Sequence, residues 1–147
     1  MVVNTIGSGG YGIAVDQDAV WVANAGSNTV TRIRKTDDMV TDVMAGFSTP
    51  TGIAVDAGSV WVANANGNTV SRIDKATRTL AATIPVGTSP FGVSLDQNSV
   101  WVVNFGSDVV SRVDKATNTI VATIRVGTSP ISLGDATGFA FNALFGR

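Results

Sequence analysis

Two neighbouring runs decide the fold: SVWVAN at Ser59–Asn64 and, one short turn later, TVSRID at Thr69–Asp74. The first is apolar on successive residues, as in a strand buried on both faces. The second alternates, with Thr69, Ser71 and Ile73 on one face and Val70 and Arg72 on the other. Only Ala65, Asn66, Gly67 and Asn68 separate them, and a turn that short joins antiparallel neighbours. Working outward, Gly52–Asp56 and Thr79–Val86 are rich in Val, Ile, Leu and Thr. They are set off by the turns Ala57–Gly58 and Lys75–Arg78. Thr51–Pro90 thus predicts four antiparallel strands in 40 residues, and no segment carries a long helical period with capping signals.

The same 40 residues occur three times without a gap, as Tyr11–Pro50, Thr51–Pro90 and Phe91–Pro130. VWVAN recurs at Val20–Asn24 and Val60–Asn64, with VWVVN at Val100–Asn104, and GTSP recurs at Gly87–Pro90 and Gly127–Pro130. Trp21, Trp61 and Trp101 share one repeat position. So do Asp16, Asp56 and Asp96, and Arg32, Arg72 and Arg112. Four short antiparallel strands per repeat of about 40 residues form a β-propeller blade. The expected fold is therefore all-β, a propeller of four-stranded blades with about 3.5 blades in this chain. Burying one Trp removes about 150–250 Å² from water, a gross gain of roughly 4–6 kcal/mol. A lone blade leaves much of that surface wet, so stacking must supply the stability.

The flanks shape the expected assembly. Residues 1–10 read as a closing outer strand, because Val2–Ile6 resembles Val121–Ile124. Blades follow at 11–50, 51–90 and 91–130. Residues 131–147 read as a partial blade, with Phe139 in the Trp place and Asn142 in the Asn place. Three blades cannot close a ring, since propellers typically have four to eight. Two expectations stay open: a second copy of the chain completes the ring as a homodimer, or the chain is part of a larger ring.

Composition narrows the chemistry. The chain has 147 residues, 44% hydrophobic and only 14% charged, with a net charge of −1. That balance gives no basic surface for nucleic acid or an acidic membrane. With no Cys and no His, thiolate and imidazole catalysis and cysteine–zinc sites are excluded. No apolar run reaches the roughly 20 residues of a membrane helix, and Met1–Thr5 lacks the basic start of a signal peptide.

The motif VWVAN…NTVSRIDKAT…GTSP resembles the YVTN-type β-propeller repeat, with Val22-Ala23-Asn24, Val62-Ala63-Asn64 and Val102-Val103-Asn104 in the V-T/A-N places. The resemblance implies a bacterial or archaeal surface, secreted or periplasmic protein without assigned chemistry. A looser likeness joins Gly52-Ile53 and Trp61 to the streptogramin (virginiamycin B) lyase propellers. That family implies a catalytic His and a magnesium site; this chain has no His, and no functional residue of that family carries over to it.

Candidate binding residues divide into repeated and unrepeated ones. Asp16, Asp56 and Asp96 close Asx turns or, as a carboxylate ring, bind a divalent ion. No metal or other cofactor is assigned. Asn24, Asn64 and Asn104 cap loops or line a channel mouth. The Arg residues lay their stems on apolar rim surface, and Lys35, Lys75 and Lys115 sit in solvated, charge-mixed turns. Where the repeats differ, Tyr11, Phe47, Phe91 and Phe105 are expected to gather on one rim. Together with the three Asn residues they form the candidate ligand site on the loop face. The expected role is a non-catalytic scaffold binding a protein, glycan or small molecule. The alternatives are a lyase- or lactonase-like enzyme using a carboxylate-bound divalent metal, and an inactive fragment of a larger propeller.

Overall fold

The computed structural model describes residues 10–131, which form twelve strands in three separate four-stranded sheets. The first blade contains β1 (Gly10–Val15), β2 (Ala19–Asn24), β3 (Thr29–Arg34) and β4 (Met39–Met44). The second contains β5 (Pro50–Val55), β6 (Ser59–Asn64), β7 (Thr69–Asp74) and β8 (Thr79–Pro85). The third contains β9 (Pro90–Leu95), β10 (Ser99–Asn104), β11 (Val109–Asp114) and β12 (Thr119–Arg125). Each sheet is an antiparallel meander in chain order, and no helix occurs among the described residues. In the second repeat the two deciding runs coincide with β6 and β7. β5 starts at Pro50 rather than Gly52, because Pro50 already pairs with Asn64. The expected closing strand at 1–10 and partial blade at 131–147 lie, apart from Gly10 and Ile131, outside the described residues.

The innermost strands converge, and glycine permits it. A Cβ on Gly12 would stand 2.2 Å from the Thr51 carbonyl oxygen, and one on Gly52 would stand 2.1 Å from that of Phe91. The Thr51 hydroxyl, with one proton to donate, lies nearest the Pro90 carbonyl at 3.1 Å, with those of Ala63 and Phe91 at 3.3 Å, and so helps tie the second blade to the third.

Between the blades lies the core. Side chains alternate across a strand, so each sheet offers one face to the blade before it and the other to the blade after. Trp21, with Ala19, Ala23 and Val30, packs on Ile53, Val60, Val62 and Ile73 of the second blade. Trp61, with Val70 and Ile84, repeats the arrangement on Val100, Val102 and Val113 of the third. β6 is covered on both faces, and all six of its residues are buried. The outer strands are the wet ones; in β12 only Ala122 is even half-buried.

Candidate functional site

The turn between the first two strands of each blade is built by its aspartate. Asp16 Oδ1 accepts the amides of Asp18 and Ala19 at 2.8 and 2.7 Å, and its Oδ2 accepts the Trp21 indole N–H at 3.1 Å. Asp56 does the same with Gly58, Ser59 and Trp61, and Asp96 with Asn98, Ser99 and Trp101. These are Asx turns, and they also orient the tryptophans. Among the described residues no three acidic side chains come together as a metal-ligand group.

The lysines depart from the expectation of solvated turns. Lys75 Nζ lies 2.9 Å from the Asp16 carboxylate and bonds the Asp56 carbonyl at 3.0 Å. Lys115 stands 3.0 Å from the Asp56 carboxylate and 2.6 Å from the Asp96 carbonyl. Each lysine therefore joins its own blade to the previous one. Burial pushes the Asp16 carboxyl upward, but Lys75, the Trp21 indole and the two turn amides outweigh it and hold the group far below the usual carboxylate range. Asp56 is lowered too: burial works against ionisation, while Lys115 and the amides of Ser59 and Gly58 favour it. The arginines are likewise not merely rim stems. Arg32, Arg72 and Arg112 pair across the strand with Trp21, Trp61 and Trp101, and their guanidinium carbons lie 5.6, 5.4 and 5.3 Å from the ring centroids. That is cation–π distance.

All of these groups occupy the body of the blades or the end opposite the inter-blade loops. The loop end differs in kind. Its turns after the second strands are Ala25–Asn28, Ala65–Asn68 and Phe105–Asp108, and they carry one charge, on Asp108. The inter-blade loops are pinned to these turns. The Thr49 amide donates to Asn28 Oδ1 at 2.7 Å, Ser89 to Asn68 Oδ1 at 2.9 Å, and Ser129 to Asp108 Oδ1 at 2.8 Å. Thr49, Ser89 and Ser129 all have φ near +50° (51°, 50° and 52°), a left-handed conformation these bonds help to hold.

On this end three of the expected aromatics meet. Tyr11 and Phe91 form an edge-to-face pair with centroids 5.7 Å apart, and Phe91 lies 6.5 Å from Phe105. Tyr11 is 66% exposed and Phe105 41% exposed, with Phe91 half-buried between them. Residue 51 between Tyr11 and Phe91 in the repeat is Thr, and its small side chain leaves the two rings free to touch. Phe47 does not join them. It is 8% exposed and packs into the core between the first and second blades, because the Met44–Phe47 loop folds inward. The asparagines do not line a channel mouth either. Asn24, Asn64 and Asn104 are buried, and their side-chain amides bond the start of the following strand: Thr29 and Thr31, Thr69 and Ser71, Val109 and Ser111.

No family model matches the chain, and no curated protein matches it in sequence. Solved structures do match. Hydrazine synthase of Kuenenia stuttgartiensis superposes with a TM-score of 0.81 at 22% identity over 90% of this chain and 40% of that one. A streptogramin B lyase gives 0.75 at 16% identity over 85% of this chain and 44% of the lyase. The chain has the β-propeller fold. A catalytically inactive histidine-to-alanine variant of virginiamycin B lyase from Staphylococcus aureus, solved with quinupristin, gives 0.72 at 19% identity over 84% and 44%. At such identities the likeness is one of fold, and this propeller chain spans less than half the length of each neighbour.

Proposed function

We propose that this chain is a non-catalytic propeller scaffold that binds an uncharged polar ligand, a neutral glycan or a polar peptide segment, on its loop face. The observation that carries the reading is the Tyr11–Phe91–Phe105 cluster, which breaks the repeat where ordinary blade packing needs no aromatic. Exposed rings side by side offer stacking surface at low entropic cost. The turns after the second strands carry one charge, on Asp108, and that near absence of charge favours a neutral partner. Pinned loops add preorganisation, which spares the binding step an ordering cost.

The test uses immobilised neutral oligosaccharides and uncharged peptides as probes, with the intact chain and a Tyr11→Ala/Phe105→Ala variant. Retained binding by the parent and a loss of tenfold or more in the variant support the reading, since an aromatic anchor contributes more than about 1.4 kcal/mol. Binding that the variant leaves unchanged, or no binding to any neutral probe, overturns it.

A further inference from the structure

The turns after the second strands have one length but not one sequence. Gly26-Ser27 and Gly106-Ser107 stand where the second blade has Asn66-Gly67, and Asn-Gly occurs nowhere else in the chain. Asn66 is exposed. The Gly67 amide donates to no partner among the described residues, and Gly67 has no side chain to limit its rotation. Rotation about the intervening bonds can therefore bring the Gly67 nitrogen onto Asn66 Cγ.

Every other asparagine among the described residues is guarded. Asn24, Asn64 and Asn104 are buried. Asn28 and Asn68 have their side-chain oxygens held by the Thr49 and Ser89 amides, and Arg72 holds that of Asn118. Each of these three precedes a threonine, whose branched side chain crowds the neighbouring nitrogen. Asn98 is exposed, but the Ser99 amide beside it is tied to Asp96 Oδ1 at 2.7 Å.

We propose that Asn66-Gly67 is a self-modifying site that deamidates in water and thereby loosens the first inter-blade loop. The Gly67 nitrogen bonds to Asn66 Cγ as the Cγ–Nδ2 bond breaks, and its proton departs with Nδ2 as ammonia. Water then reopens the cyclic imide. Opening at Cγ leaves an aspartate at position 66. Opening at the main-chain carbonyl carbon leaves an isoaspartate, with the backbone rerouted through Cγ. Either product carries a carboxylate that is ionised at neutral pH. The change falls on a joint. Asn66 Nδ2 bonds Thr49 Oγ1 at 2.8 Å, the Asn66 amide bonds the Ser48 carbonyl at 3.3 Å, and the Ala65 amide bonds the Thr49 carbonyl at 3.0 Å. These contacts pin the loop from the first blade to the second, in which Thr49 takes a left-handed φ of 51°. Both products lose the Nδ2 donor, and the isoaspartate also lengthens the turn that supplies the other two bonds. The inference does not depend on the ligand reading.

Ageing the intact chain at mildly alkaline pH, where the attacking nitrogen loses its proton more readily, tests the site. Peptide mapping by mass spectrometry is expected to show the mass gain from NH2 to OH at position 66 before any other described asparagine, with isoaspartate among the products. Asn66→Gln, whose longer side chain closes the ring poorly, is expected to lose that gain. Gly67→Ser, which restores the residue of the other two repeats, is expected to slow it. An unchanged position 66 in folded protein after a urea-unfolded sample has reacted there overturns the proposal. So does an earlier change at Asn98, or a Gly67→Ser chain that reacts as fast as the parent. Hydrogen exchange then reads the joint. The isoaspartate fraction, separated from the parent by its added charge, is expected to lose protection at the Ala65 and Asn66 amides. Equal protection in that fraction and in the parent overturns the loosening.

Discussion

Lys75 Nζ of the second blade lies 2.9 Å from the Asp16 carboxylate of the first, in a setting where both side chains are mostly covered. The same ammonium bonds the Asp56 carbonyl in its own blade. A single lysine thus fixes where one sheet sits against the next. Replacing it by methionine keeps much of the apolar stem but leaves Asp16 partly buried without its cation. Lys75→Met is expected to lower stability by about 1–3 kcal/mol, toward the lower end because the pair is not fully dry. Urea unfolding of Lys75→Met, Asp16→Asn and the double variant measures the coupling. If the two single losses simply add, the pair does not hold the blades.

The depressed Asp16 and Asp56 carboxyls also set a pH dependence. A folded-state pKa below the unfolded value near 3.9 contributes stability that is fully present above that value. It is lost as pH falls through the folded value. The urea midpoint is therefore expected to be level from pH 7 to about 5 and to drop steadily below about 4. Lys75→Met removes the strongest ionisation-favouring contact of Asp16, so its acid loss should be smaller than that of the parent. An identical acid slope in the two proteins would disprove this linkage.

The strands were legible in the sequence because a blade is local. Each turn is short and each repeat confirms the others, so β6 and β7 follow from valine runs and Asn-Gly-Asn punctuation alone. The joints were harder. Nothing within one repeat reveals that Lys75 reaches back to Asp16, since the contact spans two blades; the only available sign was a lysine fixed at one position in all three repeats. Phe47 misled for the opposite reason. Its loop departs from the Val-Gly shared by the other two repeats, Val86-Gly87 and Val126-Gly127, as a site residue would, yet it fills a gap between blades. Tyr11, Phe91 and Phe105 were traceable because the repeats differ at their two positions, with Thr51 against Tyr11 and Phe91, and Ala25 and Ala65 against Phe105.

Gly52 and Gly58 separate crowding from mere backbone freedom. A methyl at Gly52 meets the Phe91 carbonyl oxygen at 2.1 Å, and backbone cannot yield there without parting the second and third blades. Gly52→Ala is expected to cost about 1–3 kcal/mol or more. A methyl at Gly58 meets nothing within 4 Å, so Gly58→Ala should be neutral or slightly stabilising, within about 1 kcal/mol. Thermal melts of the two variants give the comparison directly, and equal shifts would refute the close approach of the inner strands.

Trp61 and Trp101 hold the same repeat position, the same hydrogen bond to an aspartate and the same stacked arginine, yet they differ in cover. Trp61 is packed against Val100, Val102 and Val113, while Trp101 faces outward from the third blade. Trp61→Ala empties a complete joint and is expected to cost about 3–5 kcal/mol. Trp101→Ala should cost clearly less, because part of its ring is already in water. Urea titrations of both variants read the difference, and equal costs for the two tryptophans would contradict their difference in burial.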